Sequence, residues 1–260
     1  MFLEEKLLLS LSRSPDAPDL VSADSPHSIS EALSTLQRVY PNFERIVSNK
    51  RILDFGCGQG LQSIALAKLL NCQVLGVDIN PKTLIRARGN AREYRVSADQ
   101  LSFTDQLTPQ MDGRFDVVIS QNSFEHFHEP CHVLEQMREL SKPKGLVLLT
   151  FGPPWYSPYG SHMHFFCKLP WLNLLFSEKA VMNVRSHFRD DGAKHYEEVE
   201  SGLNKMSIRK FESIIRENQM HIHFKRYDCI KGVNALGKIP LLRELFINHV
   251  TVILGHHQIN

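Results

Sequence analysis

The stretch Ile52-Leu53-Asp54-Phe55-Gly56-Cys57-Gly58-Gln59-Gly60 constrains this chain more than any other. Apolar residues and one acid run directly into three glycines at alternate positions. Leu61, Ile64, Ala65 and Leu69 follow at helical spacing. The pattern predicts a buried strand, a tight turn and a helix. Glycines admit positive φ and let a ligand approach backbone where a Cβ would collide. The first N–H groups of the helix have no partner within it, which suits a polar or anionic group. A nucleotide-like ligand at a strand–helix turn is the first expectation.

The flanking residues narrow that ligand. A dinucleotide fingerprint reads G-x-G-x-x-G. Here the third glycine comes one residue early, and Leu61 stands where the fingerprint wants it. Asp54 sits on the strand before the glycines, where a carboxylate can accept from an ammonium group. The next predicted strand, Val74-Leu75-Gly76-Val77, ends at Asp78, roughly twenty residues on, the offset that places a carboxylate on ribose hydroxyls. Such a carboxylate accepts from a 2′,3′-diol and repels a 2′-phosphate. The two acids ask for a ligand with an amino-acid end and an adenosine-like end. S-adenosyl-L-methionine has both.

The ordered motifs resemble a family. Asp54 to Gly60, then Gly76-Val77-Asp78, Ala98-Asp99 and Phe115-Asp116-Val117-Val118-Ile119-Ser120 look like those of class I S-adenosylmethionine-dependent methyltransferases. The resemblance is strong over about residues 45–152 and weak in the tail. It implies an α/β fold: a doubly wound, mostly parallel seven-stranded sheet, Rossmann-like, with an insertion after the fifth strand. It implies cofactor binding by Asp54, Gly56, Gly58, Gly60, Asp78 and Ile79. Asp99 and Gln100, after a third strand expected at 94–97, stand where the family contacts the adenine amino group. Gln121, after the fourth strand, completes that set.

Composition excludes several classes. Hydrophobic residues make up 42% and charged residues 22% of 260, ordinary globular values. A formal net charge of +2 gives no electrostatic case for nucleic acid. Cysteines 57, 72, 131, 167 and 229 are scattered, with no C-x-x-C pair, as in reduced thiols rather than a disulfide framework. No run is long enough to span a membrane. Glu4 and Glu5 precede the apolar patch at 7–9, unlike the cationic start of a signal peptide. A cytoplasmic enzyme with a small-molecule substrate is expected, with no nucleic-acid partner and no stable membrane insertion.

Residues 1–26 combine a short helix with a Ser-, Pro- and Asp-rich stretch, read as a mobile arm. The methyltransferase domain is expected over 27–260. A helix is predicted over 28–46, and Asn80-Pro81 opens another as N-cap and first-turn proline. Strands are predicted at 115–120, 146–150, 220–227 and 250–254, with a helix at 207–218. More than fifty residues separate the fifth strand from that helix, where a minimal family member needs few. So long a connection is seldom structureless. Residues 153–206 are read as a substrate-covering insertion.

Methyl transfer is an in-line displacement, so the protein mainly aligns the reactants. A base helps when the acceptor is a weakly acidic hydroxyl. Glu125-His126 after the fourth strand resembles the type-11 group that includes ubiquinone- and menaquinone-biosynthesis methyltransferases. In its O-methylating branch, a carboxylate three positions before the Glu helps bind a divalent metal. That position is Asn122 here, a weaker ligand, and no metal is expected. His126 is a candidate base, and Glu125 a substrate contact. His162 is a second candidate base; it and His164 would share one face if extended. Trp155, Tyr156, Tyr159 and His164 offer apolar walls with polar tips. The apolar run 165–176 would make a greasy lid.

Gly152-Pro153-Pro154-Trp155 imitates an amino-methylating motif, but it follows the fifth strand and lacks the acceptor side chain. The favoured acceptor is a hydroxyl oxygen, or carbon, of an aromatic or lipid-like metabolite. The alternatives are an RNA or protein methyltransferase, which needs a basic groove, and a non-catalytic S-adenosylmethionine-binding partner. Intact Asp54, Asp78 and glycines argue against the last.

Overall fold

The computed structural model describes residues 3–13, 27–199, 202–240 and 242–256. Helix α1 (Leu3–Leu11) is followed by α2 (Ile29–Val39) and α3 (Phe43–Val47). The single helix expected over 28–46 is thus two. Pro41 lacks an amide proton and Asn42 takes a left-handed φ of 53°, so the helix cannot run through. Then come β1 (Arg51–Phe55), α4 (Leu61–Leu70), β2 (Gln73–Val77), α5 (Pro81–Glu93), β3 (Leu101–Thr104) and β4 (Phe115–Ser120). Next are α6 (Pro130–Leu140), β5 (Ser141–Phe151), α7 (Leu172–Leu175) and α8 (Glu178–Arg185). The chain closes with α9 (Ile208–Glu217), β6 (Met220–Cys229), α10 (Arg243–Phe246) and β7 (Ile247–His256).

The strands form one sheet in the order β3-β2-β1-β4-β5-β7-β6. Strands β1 to β5 are parallel, and β7 runs antiparallel to β5 and β6. This is the doubly wound fold expected from the sequence. Asp54 pairs with Gly76 and Ile119, and Gly76 with Phe103. The parallel strands therefore end together, which places their following loops on one edge.

Alternation along the strands fills both faces. Leu53, Val118 and Val147 pack with Leu134, Met137 and Phe211 under α6 and α9. Ile52, Val117 and Leu148 pack with Leu36, Val47 and Ile64 under α2, α3 and α4. Each such fully buried side chain contributes roughly 1.5–3 kcal/mol by leaving water. Caps set the helix starts. The Asn80 side chain accepts from the Lys82 N–H at 3.0 Å, with Pro81 at the first turn. Ser207 accepts from the Lys210 N–H at 3.1 Å.

The long connection after β5 has its own small core. Met163, Phe166, Leu172, Val181 and Tyr196 meet there, and Leu8 of α1 joins them fully buried. Glu4 accepts from the Ser177 backbone and hydroxyl, and Asn183 donates to Glu5 at 2.6 Å. The arm expected over 1–26 is thus, over Leu3–Leu11, a docked helix, because Leu8 fills a hole in the insertion. Residues 14–26 lie outside the described residues. Among the described residues no helix is long and apolar enough to cross a membrane.

Candidate active site

The glycine loop leaves β1 at the common edge. Gly56, Gly58 and Gly60 take φ values of 80°, 50° and 79°. The N–H groups of Gly56 and Cys57 both donate to the Val77 carbonyl, at 2.8 and 2.9 Å. Gly58 N–H donates to Asp78 Oδ2 at 2.9 Å. Helix α4 starts on Gly60 with no side-chain cap. Its first N–H groups therefore face the edge without a side-chain partner. A Cβ on Gly56 would meet Ser123 Oγ at 2.9 Å, and one on Gly60 would meet Phe103 at 2.7 Å. Over Gly58 nothing lies within 4 Å. Two glycines serve the protein's own packing, and the third leaves open space.

The acids bracket this loop. Asp54 is 1% exposed and accepts from Gln62 Nε2 at 2.8 Å and Ser63 Oγ at 2.5 Å. Both donors lie in the first turn of α4, so Asp54 ties strand to helix beneath the loop. Burial raises its carboxyl to about 6; the Ser63 and Gln62 bonds pull it down, and Asp78 adds a push upward. Asp78 is half-buried and also accepts from Asn80 N–H at 2.8 Å and Thr83 Oγ1 at 3.2 Å. Ile79 beside it is 91% exposed. An exposed isoleucine at this edge offers an apolar platform. The loop, the two acids, Ile79 and the α4 N-terminus fit an adenosine-bearing amino acid.

Two expected contacts are misplaced. Strand β3 is 101–104, not 94–97, because α5 runs to Glu93 and Arg95 then takes a φ of 54°. Asp99 and Gln100 therefore precede the strand and sit at the opposite edge of the sheet. The Gln100 carbonyl accepts from Val74 N–H at the start of β2, and its side chain reaches Asn71 at 3.1 Å. There it lines a polar hollow with Lys50, Asp116 and Lys142. The acid that follows β3 at the ligand edge is Asp105, which is exposed. The alternation Leu101-Ser102-Phe103-Thr104 was the available signal for it.

Beyond β4 a hydrogen-bonded strip crosses the edge. Gln121 Nε2 donates to the Tyr40 hydroxyl at 2.5 Å, and Gln121 Oε1 lies 3.1 Å from Thr150 Oγ1. Thr150 Oγ1 is also 3.1 Å from Asn122 Oδ1, which lies 3.3 Å from His249 Nε2. Tyr40 and His249 have no site role in the sequence reading. His249 stood just outside the strand expected at 250–254, and β7 begins earlier, at Ile247.

The two candidate bases meet. His126 closes a 3₁₀ turn (Phe124–His126), and its ring stands 5.6 Å from that of His162, edge to face. His126 Nδ1 is 2.7 Å from the Gly202 carbonyl. A carbonyl only accepts, so Nδ1 carries a proton, and in the neutral imidazole Nε2 is the nitrogen that keeps its lone pair. His162 Nε2 lies 3.4 Å from the Pro153 carbonyl. Burial first, then His126, push His162 down to about 4, against a raising bond from Pro153, so it is neutral at pH 7. His162 takes a φ of 56°, in the left-handed region. The extended path that would align His162 with His164 is therefore absent, and His164 is exposed.

The aromatic candidates divide. Trp155 is half-buried, with its ring 4.8 Å from Tyr196, and its backbone N–H donates to the Met206 carbonyl at 2.7 Å. Tyr159 is half-buried and Tyr156 is 40% exposed. Glu125 departs from its expected role. It is 3% exposed, and its Oε1 accepts from the Gly152 N–H at 3.0 Å. The carboxylate faces the chain's own backbone rather than an open cleft. Burial raises its pKa, and the neighbouring His126 opposes that rise. Among the described residues no three His, Cys, Asp or Glu side chains converge as metal ligands.

Comparison with known proteins identifies what the chain is similar to. Residues 46–152 match a family model described as "Methyltransferase domain". A ubiquinone biosynthesis O-methyltransferase of Pseudomonas aeruginosa is 35% identical over 105 residues, 40% of this chain and 45% of the relative. Its counterpart in Xanthomonas campestris pv. campestris is 31% identical over 129 residues, 49% and 54% of the two chains. The chain spans about half the length of the curated relatives it matches. The solved magnesium protoporphyrin IX methyltransferase from Synechocystis PCC 6803, with bound SAH, shares the fold at a TM-score of 0.54 and 17% identity, over 88% of this chain and 83% of that one.

Proposed function

We propose that this chain, whose residues 46–152 are a class I S-adenosylmethionine-dependent methyltransferase domain, methylates a hydroxyl oxygen of a small aromatic or lipid-like acceptor, with His126 as the base. S-adenosylmethionine supplies an activated methyl group on a sulfonium, which needs no further activation by the protein. The residues of this chain hold that cofactor and align the acceptor. Gly58 opens the backbone for it, Asp78 accepts from the ribose diol, and Asp54 keeps a negative charge beneath the amino-acid end. Ile79 covers the adenine, and Gln121 closes the edge after β4.

One observation carries the choice of base. The His126 Nδ1–H is fixed on the Gly202 carbonyl at 2.7 Å, which leaves Nε2 as an oriented acceptor. Neutral His162 faces it and brings no positive charge to compete for the acceptor proton. Residues 153–206 cover the acceptor, with Trp155, Tyr156, Tyr159 and His164 on the covering segment. The relatives named as ubiquinone biosynthesis O-methyltransferases support oxygen as the atom and an aromatic, lipid-like molecule as the class.

The test is methyl transfer from labelled cofactor to a panel of phenols and catechols with apolar tails. In His126→Ala the rate falls by about a hundredfold or more while cofactor affinity stays within about twofold. An undiminished rate in that variant removes His126 from the reaction. Incorporation into RNA or protein with none into the panel overturns the acceptor class.

A further inference from the structure

The insertion is held at both ends by a single turn. Its outgoing root is stitched to Phe124–Phe127 three times. Asn204 N–H donates to the Glu125 carbonyl at 3.0 Å, and Asn204 Nδ2 donates to the carbonyls of Phe124 and Phe127, each at 2.8 Å. The Gly202 carbonyl accepts from His126 Nδ1–H. The incoming root is held where Gly152 N–H donates to Glu125 Oε1 at 3.0 Å. Trp155 N–H then bonds Met206 and closes the two roots on each other. Among the described residues, the hydrogen bond that ties the incoming root directly to the turn carrying His126 is accepted by the Glu125 carboxyl.

We infer that Glu125 is a positioning residue, whose buried carboxyl holds Gly152 so that the insertion bearing His162 stays in register with His126. This rests on the reading of His126 as the base. It gives the Glu of the Glu-His pair a different task from substrate contact or metal ligation. The donor set agrees. Three positions earlier Asn122 presents a neutral amide already engaged with Thr150 and His249, so no second carboxylate faces Glu125 from there. Oε2 of Glu125 is buried and has no partner among the described residues. A buried carboxylate oxygen without a donor is costly to keep charged, and a proton removes that charge. Burial favours that neutral form. A glutamine has the same shape, is neutral and keeps an oxygen for Gly152. It should therefore replace Glu125, whereas alanine leaves Gly152 N–H unpaired.

The experiment is amide exchange and ring-proton NMR on the full chain without acceptor. In Glu125→Gln the Gly152 amide stays as protected as in wild type, within about twofold, and the His126–His162 ring cross-relaxation persists. In Glu125→Ala the amide exchanges about tenfold faster or more and the ring contact is lost. Adding Mn²⁺ to wild type leaves the Glu125 and His126 signals unbroadened. Fast exchange in Glu125→Gln, a protected amide in Glu125→Ala, or selective Mn²⁺ broadening at the pair each overturns the inference. If Glu125→Ala does not fold, the glutamine and Mn²⁺ measurements still decide. None of these readouts needs the acceptor, so failure here is distinct from failure of His126 as base.

Discussion

Single residues separate what the fold needs from what the ligand needs. Gly58 and Gly60 both have positive φ, yet a Cβ on Gly60 would press on Phe103 at 2.7 Å and Ala87 at 2.9 Å, while one on Gly58 meets nothing within 4 Å. Gly58→Ala should cost only the left-handed backbone penalty, about 1–2 kcal/mol, and weaken S-adenosylmethionine by about tenfold or more. Gly60→Ala should destabilise the fold itself by more than that. Thermal melts and cofactor titration of the pair check this; equal stability losses would contradict it. Asp54 makes a pH statement. Its carboxyl, raised from 3.8 to about 6, favours the protonated form in the fold. The stability it contributes is full below about pH 4 and is lost as pH rises through about 6, by at most about 3 kcal/mol. Asp54→Asn should therefore gain stability over wild type between pH 5 and 8 in the ligand-free protein, read by denaturant melts. A difference that shrinks with pH would refute the buried-acid reading. Binding of an ammonium-bearing cofactor reverses the preference, so wild-type affinity should climb across the same window.

Elements explain which expectations survived. Strands β1 and β2 are short apolar runs closed by Gly56 and Asp78, β4 is a largely β-branched run after the Gly113 turn, and their limits were legible. Strand β3 was not. At 94–97 the residues Tyr94-Arg95-Val96-Ser97 look strand-like alone, but α5 uses its full length to Glu93 and the chain must turn before it can pair with β2. That turn consumes Asp99 and Gln100 and moves the ligand-edge acid to Asp105. Asp99→Ala should leave cofactor affinity within about twofold, while Asp105→Ala weakens it, by calorimetry; the reverse order would restore the earlier placement. The meeting of His126 and His162 lay beyond sequence reasoning for a related cause. It depends on a left-handed residue inside the insertion and on Gly202, more than seventy residues from His126, supplying a carbonyl. Periodicity reports local faces, not such closures.

At the scale of the whole molecule, one edge of the sheet gathers the chemistry. The glycine loop, Asp78, Gln121, His126 and the root of the insertion all leave the carboxyl ends of parallel strands, and β7 returns antiparallel to add His249. The insertion folds around its own core, to which α1 adds Leu8. The chain therefore joins a cofactor-binding part, legible in motifs of spacing and type, to an insertion whose contacts appear only in three dimensions. The chemistry of this edge depends first on a bound cofactor. Calorimetric titration of the full chain with S-adenosylmethionine tests it most directly, beside Asp78→Ala, which removes the carboxylate that holds Gly58, Asn80 and Thr83. Saturable binding of one equivalent, weakened by about tenfold or more in the variant, is the predicted result. No heat in wild type, or equal affinity in Asp78→Ala, would contradict it.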